Sequence, residues 1–329
     1  MLHLRLTVPA DRTRDVVRLL SGDDAVTHLA VHTGAARQPP GDVVECDVAR
    51  EAASSVIDAL RDLGIERDGA IVADTPELVL SAVARAAEEA APGLPSDAVV
   101  WEQVEARTSE EVSLSATYLV YLSVALMLAA VGVLLDSPIL IVGAMVVGPE
   151  FGPIAALCVS VVQRRLDTFL RSLTALVVGF PVAMLVTVGF TWLMTALGLV
   201  DESMLIADRP LTSFIWRPDA LSFVVAFLAG VAGMLSLTTT KSGALVGVLI
   251  SVTTVPAAAN AAVALAYGVW DEFVGSAGQL ALNLLGIVVA GVITLGLQRW
   301  WWHRGAMRSG RNRGALAVAE AARRSPQRD

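Results

Sequence analysis

Hydrophobic and polar positions follow two different periods along this chain. From Leu2 to Val8 they alternate, with Leu2, Leu4, Leu6 and Val8 set against His3, Arg5 and Thr7, which predicts a strand with one buried face. Further strands are expected over about 25–33, 42–48 and 70–73, and a turn at Pro39, Pro40 and Gly41 separates the second from the third. One helix is expected over about 12–21, capped by Asp11, and another carries Val56, Ile57, Leu60 and Leu63 and stops at Gly64. The order β-α-β-β-α-β predicts an α+β, ferredoxin-like domain over residues 1–75. A helical connector over 76–113 follows, with an Ala-rich helix opening at Pro76 and broken at Pro92-Gly93-Leu94-Pro95.

Beyond residue 114 the alternation gives way to apolar runs of about 20 residues, each long enough to cross a bilayer as a helix. Six spans are predicted, at about 115–135, 138–162, 170–198, 220–239, 243–267 and 278–298, making residues 114–300 a membrane α-helical bundle. Arg164, Arg165, Arg171, Lys241 and the arginines from Arg299 onward fall on one side of these spans, and Asp136, Asp201, Glu202, Asp208, Asp219, Asp271 and Glu272 on the other. The positive-inside rule then puts both termini in the cytoplasm of a cell carrying this protein in its plasma membrane. The opening MLHLRLTVPADR has no basic region leading into an apolar one, so no cleavable signal is expected. Residues 301–329 form an Arg-rich cytoplasmic tail without a strong apolar pattern, expected to be disordered and to touch anionic lipid heads.

Composition sharpens this division. The 329 residues are 55% hydrophobic and 17% charged, with 26 glycines and a mean hydropathy of +0.63. Residues 1–111 hold 21 acidic residues against ten arginines, so the soluble segment is strongly acidic and excludes nucleic acid as a partner. Residues 1–100 also lack Phe, Tyr and Trp, which excludes base stacking. Two cysteines, Cys46 and Cys158, sit in different settings and are expected to be small buried hydrophobes. The open sheet face should present His3, Arg5, His28, His32, Glu45 and Asp47. Solvated polar surface is the plain reading of that set, and a metal or small-anion site the sharper one. No HExxH, GxSxG or Walker loop occurs, so neither enzymatic activity nor a cofactor is expected.

The second and fifth spans share an irregularity. Setting Gly143 on Gly247 brings Ser137 near Ser242 and Pro153 within one position of the counterpart of Pro256. Each is the middle span of a group of three, and two such groups in tandem run in opposite directions, the inverted-repeat plan of many transporters. Pro149, Pro153 and Pro256 are the expected helix breaks. Glu150, about 12 residues into the second span, falls near mid-depth. A carboxylate there faces a cavity or a partner, because insertion at the bilayer centre costs about 2.5–3.5 kcal/mol or more. It serves either as an ion- or proton-binding acid, with Thr253, Thr254 and Asn260 of the fifth span completing the site and Asn283 nearby, or as the cap of a half-helix. Lys241, the only lysine, is an ordinary turn residue or an anion contact at a cytoplasmic gate.

The stretches IVGAMVVGPEFGPI at 141–154, AGVAGMLSLTTTKSGALVGVLISVTTVPAAANA at 229–261 and LNLLGI at 282–287 resemble a bacterial and archaeal family of uncharacterised hydrophobic-domain membrane proteins, a domain of unknown function. The resemblance covers roughly residues 110–300 and implies a six-helix membrane module, without a substrate or a catalytic residue. This chain departs from the family pattern at Glu150, where a small or apolar residue is usual, and at Val255-Pro256-Ala257, where a double proline is common. The expected function is passage of a small solute or ion through the module, with the acidic domain regulating or oligomerising it. The alternative is a membrane-anchored sensor or scaffold. The expected partners are the lipid bilayer and further copies of the chain, through close-packing glycines such as Gly243 and Gly247.

Overall fold

The computed structural model describes residues 1–91, 99–111, 113–217, 219–239 and 244–324; within these, the side chains of 107, 109–111, 214, 244–253 and 302–324 are not described. The chain divides into two compact units, one formed by Met1–Gln103 with Trp301–Asp329, the other by Val104–Trp300.

The first unit is built on a four-stranded antiparallel sheet of β1 (Leu2–Val8), β2 (Val26–Arg37), β3 (Pro40–Val48) and β4 (Ala70–Asp74) in the order β2-β3-β1-β4. Register pairs Leu2 with Val48, Leu4 with Cys46 and Leu6 with Val44, so the apolar residues of both strands fall on one face, as the alternation predicts. That face is covered by α1 (Thr13–Ser21) and α2 (Arg50–Asp62), whose Val16, Leu20, Val56, Ile57 and Leu60 join its core. Arg12, not Asp11, stands at the start of α1 and no side chain caps it. Gly64, at φ 75°, ends the helical run where expected and leads into the single turn α3 (Ile65–Asp68). The connector helix begins later than Pro76 predicts: α4 spans Ala82–Ala90, with Ser81 accepting the Ala84 N–H as its cap. The break at Pro92–Pro95 lies outside the described residues, and α5 follows over Trp101–Glu111.

The second unit contains α6 (Ala116–Leu134), α7 (Pro138–Val147), α8 (Phe151–Gln163), α9 (Leu166–Ala196), the short α10 (Glu202–Ile206), a 3-10 turn at Ser213–Ile215, α11 (Ala220–Thr238), α12 (Ala244–Tyr267) and α13 (Trp270–Arg324). Four of these helices are long and apolar enough to cross a membrane, and five spans are reached when α7 and α8 count as one, bent by 57°. This makes the protein a membrane protein. The part of α12 whose side chains are described, Thr254–Tyr267, is too short to count by itself, so the sixth expected span is not reached on those residues. The tail does not match the expectation of disorder, because α13 continues through it to Arg324.

Two expected breaks are corrected. The chain leaves the helix at Gly148-Pro149, but Pro153 lies in the first turn of α8, where a missing N–H breaks no intrahelical bond. Pro256 lies inside α12, which runs unbroken past it. Burial holds α12 together there: Val255 and Ala257–Ala259 are enclosed, as are Ala261–Ala264, with α6, α7, α9 and α11 packed around it. The matching break that an inverted repeat would show in the fifth span is therefore missing.

Polar contacts gather the connections at two ends. Asp136, after α6, accepts from Thr212 Oγ1 at 2.8 Å and from the Leu211 N–H at 3.3 Å, and Arg209 reaches Glu272 at the start of α13. At the other end Arg299 donates to the Val162 carbonyl at 2.6 Å and Gln298 to Thr238 at 2.9 Å. Helices α11 and α13 cross closely, since a Cβ on Gly230 would lie 2.6 Å from the Ile287 carbonyl oxygen. Gly230→Ala must push the two backbones apart, and its thermal midpoint in nanodiscs should fall by the equivalent of about 1–3 kcal/mol. An unchanged midpoint would contradict the crossing.

Candidate functional site

Glu150 stands at the break between α7 and α8 and has no exposed surface. Its side chain does not cap α8. Instead it folds back over Gly148, where a Cβ would come within 2.4 Å of Oε2, so glycine at 148 makes room for the carboxylate. Thr254, on the central helix α12, donates its hydroxyl to Glu150 Oε1 at 3.0 Å. Tyr118 of α6 lies within electrostatic reach of the same carboxylate. Its ring packs against Gly179 of α9, and its buried hydroxyl has no hydrogen-bond partner among the described residues. Ala144, Val147, Phe151, Ile154, Val255 and Ala258 belong to the same apolar cluster. A carboxylate and the Thr254 hydroxyl thus meet in an apolar enclosure, oxygen donors suited to a hard cation or a proton.

The other expected members are placed differently. Asn260 does not hydrogen-bond to Glu150; its amide accepts from Arg209 Nη1 at 3.1 Å and donates to Ser276 Oγ at 2.7 Å and to Glu272 at 3.4 Å. Arg209 also gives two hydrogen bonds to the Glu272 carboxylate, at 2.7 and 2.9 Å. The physical reason is distance, since six residues of helix carry Asn260 about 9 Å along the axis from Thr254. Asn283 is buried next to Gln279, whose amide reaches it at 3.4 Å. Lys241 and Gly243 lie outside the described residues, as do the side chain of Thr253 and the surroundings of Gly247. Sequence reasoning missed Tyr118, Arg209, Glu272 and Ser276. The one signal available was Arg209 itself, one of two arginines in an otherwise acidic connection, beside Pro210.

On the open sheet face the described residues include no group of three or more His, Cys, Asp or Glu placed to hold a metal. Asp47 instead accepts from His3 Nδ1 at 2.8 Å and His28 Nδ1 at 2.6 Å, while His28 Nε2 meets Ser81 Oγ at 2.9 Å. A register shift in β2 between Thr27 and Ala30, with His28 at φ 51°, aims this side chain at Asp47. His32 lies 3.6 Å from Glu45. Neither cysteine forms a disulfide; burial, with the charge of Asp47 beside it, pushes the Cys46 thiol up to about 12, so it is inert.

Residues 145–289 match a family described as Domain of unknown function (DUF389). The DUF389 stretch contains Glu150, Arg209, Thr254, Asn260, Glu272 and Ser276, and leaves Tyr118 outside. The uncharacterised family that the motifs resemble is therefore shown for this stretch. An uncharacterized protein of Methanocaldococcus jannaschii is 22% identical over 251 residues, which cover 75% of this chain and 74% of that one. No solved structure matches the chain.

Asp47 gives the first unit a pH-dependent contribution. Burial raises its pKa, but the hydrogen bonds from His28 and His3 outweigh burial and hold the carboxyl below its ordinary value. A lowered folded-state pKa gives stability that is present above the unfolded value, near 3.9, and lost as pH falls through the folded one. Asp47→Asn should therefore lower the thermal midpoint of this unit in the full chain at pH 7, by about 1–2 kcal/mol once partial exposure is discounted. The difference from wild type should shrink below about pH 4. A difference that stays constant from pH 7 to pH 3 would contradict the assignment.

Proposed function

We propose that this protein is a transporter or channel for a small solute or ion, with Glu150 as the binding group inside the membrane. A single observation carries the reading: a carboxylate with no exposed surface, at the break of a bent span, bonded to Thr254 of the central helix. An ionisable group is costly in that setting unless it meets a partner or water, and non-helical backbone at membrane depth is tolerated only where protein or a wet cavity covers it. In this reading α12 is the sixth span. The first unit is a ferredoxin-like cytoplasmic domain that regulates or oligomerises the module, no catalysis is assigned, and the protein resides in the plasma membrane with both termini inside.

Glu150→Gln keeps the shape and removes the charge. In proteoliposomes loaded with small cations or a pH-sensitive dye, the variant should fold while flux, or its pH dependence, falls at least tenfold. Unchanged flux with Glu150→Gln would remove the site assignment, and no flux from wild type over a broad panel would favour the scaffold. For topology, in a chain with Cys46 and Cys158 replaced by Ala, a cysteine probe at Asp208 should react with an impermeant reagent on intact cells. Probes at Arg165 and Arg311 should not, and the reverse pattern would overturn the orientation.

A further inference from the structure

The buried cluster of Arg209, Glu272, Asn260 and Ser276 is not used by the Glu150 site, yet it shares α12 with it. Thr254, Ala257 and Asn260 follow one another at three-residue steps on that helix, the first bonded to Glu150 and the last to Arg209. Ala257, between them, is enclosed by Val133, Ile141, Met145 and Ile215. Arg209 is the one buried Arg or Lys among the described residues. Its Nη2 donates to both carboxylate oxygens of Glu272, and its Nη1 to the Asn260 amide oxygen.

The three elements so joined differ in kind. Asn260 is on the central helix and Glu272 on the first turn of α13, whereas Arg209 is on the connection between α10 and the 3-10 turn, which has no regular structure at that residue. That connection is held to the end of α6 through Asp136. A segment of this kind opens more readily than packed helices do, because few backbone bonds resist its movement. Ion pairs removed from water are often replaceable by apolar residues without loss of stability, so packing alone does not account for this one. Its charges cancel when closed. If Arg209 leaves, Glu272 and Asn260 remain as an acid and an amide, and Asn260 stands on the same helix as Thr254, which is bonded to Glu150.

We propose that the Arg209–Glu272–Asn260 cluster is the gate at the loop end of the route to Glu150, and that it admits a small cation or proton. The inference rests on the reading of Glu150 as a binding group, and it names the class of ion from the acid that gate opening uncovers. Anions are disfavoured at an entrance where Glu272 has lost its counter-charge.

The test uses the full chain in proteoliposomes, with Cys46 and Cys158 replaced by Ala and a single probe, Ala257→Cys, treated with a cationic methanethiosulfonate reagent. With Arg209 and Glu272 present, modification should be slow. Arg209→Gln, which leaves Glu272 facing the entrance, should speed it at least tenfold; Glu272→Gln, which leaves the Arg209 cation there to repel the reagent, should give a smaller rise, as should Arg209→Lys, which keeps the charge with one nitrogen in place of two and is the milder variant for folding. The exchange Arg209→Glu with Glu272→Arg should restore slow modification. Equal rates in all folded variants would overturn the gate. Faster modification in the variants, with no cation flux from any form of the protein, would keep the gate and remove the transport reading.

Discussion

Charged groups inside an apolar bundle must be matched locally, because neither lipid nor packed aliphatic side chains can solvate them. Two such groups determine how the second unit is arranged. Glu150 occupies the corner where a span bends by 57°, with Gly148 leaving space for it and Thr254 supplying a hydroxyl. Arg209 comes in from a connecting segment and is matched by Glu272 and Asn260. Both arrangements require α12 to run between the other helices, since it donates Thr254 to one and Asn260 to the other.

The composition of α12 follows from that position. A helical segment enclosed on every side, as α12 is from Thr254 to Ala264, and carrying polar side chains toward two partners needs small residues elsewhere, and the run from Ala257 to Ala264 provides them with Asn260 as its one polar member. Small side chains let neighbouring backbones come close, which in a bilayer substitutes dispersion contacts for the missing hydrophobic drive. The same packing keeps the helix in place at Pro256, because Val255 and the residues from Ala257 onward are enclosed by neighbouring helices. Glycines elsewhere serve the same end, as where Gly179 receives the ring of Tyr118.

What the sequence revealed and what it hid follow one physical division. Periodicity is local, so β1 with its buried leucines, the stop at Gly64 and the apolar helices were all legible from residue spacing. Glu150 was legible because a carboxylate in an apolar run needs no neighbour to stand out. Its pairing with Thr254 was one of several options in the fifth span. The pairing of Arg209 with Glu272 joins residues 63 positions apart, and each looked like an ordinary loop charge. Asn260 was assigned to the wrong partner because spacing along a helix gives its depth but not which connection folds over it. Likewise His28 became a partner of Asp47 only through a bulge in β2, which alternation alone does not register.

The central claim is that Glu150, though enclosed, exchanges with water or ions. Infrared difference spectroscopy on the full chain in lipid reads this directly, comparing wild type with Glu150→Gln as pH and buffer cation are changed. A carboxyl signal is expected that is absent from the Gln variant, responds to pH or cation, and shifts promptly in deuterated buffer. A Glu150 signal that ignores pH and cation and does not exchange in deuterated buffer over hours would contradict it and leave the carboxylate a structural one.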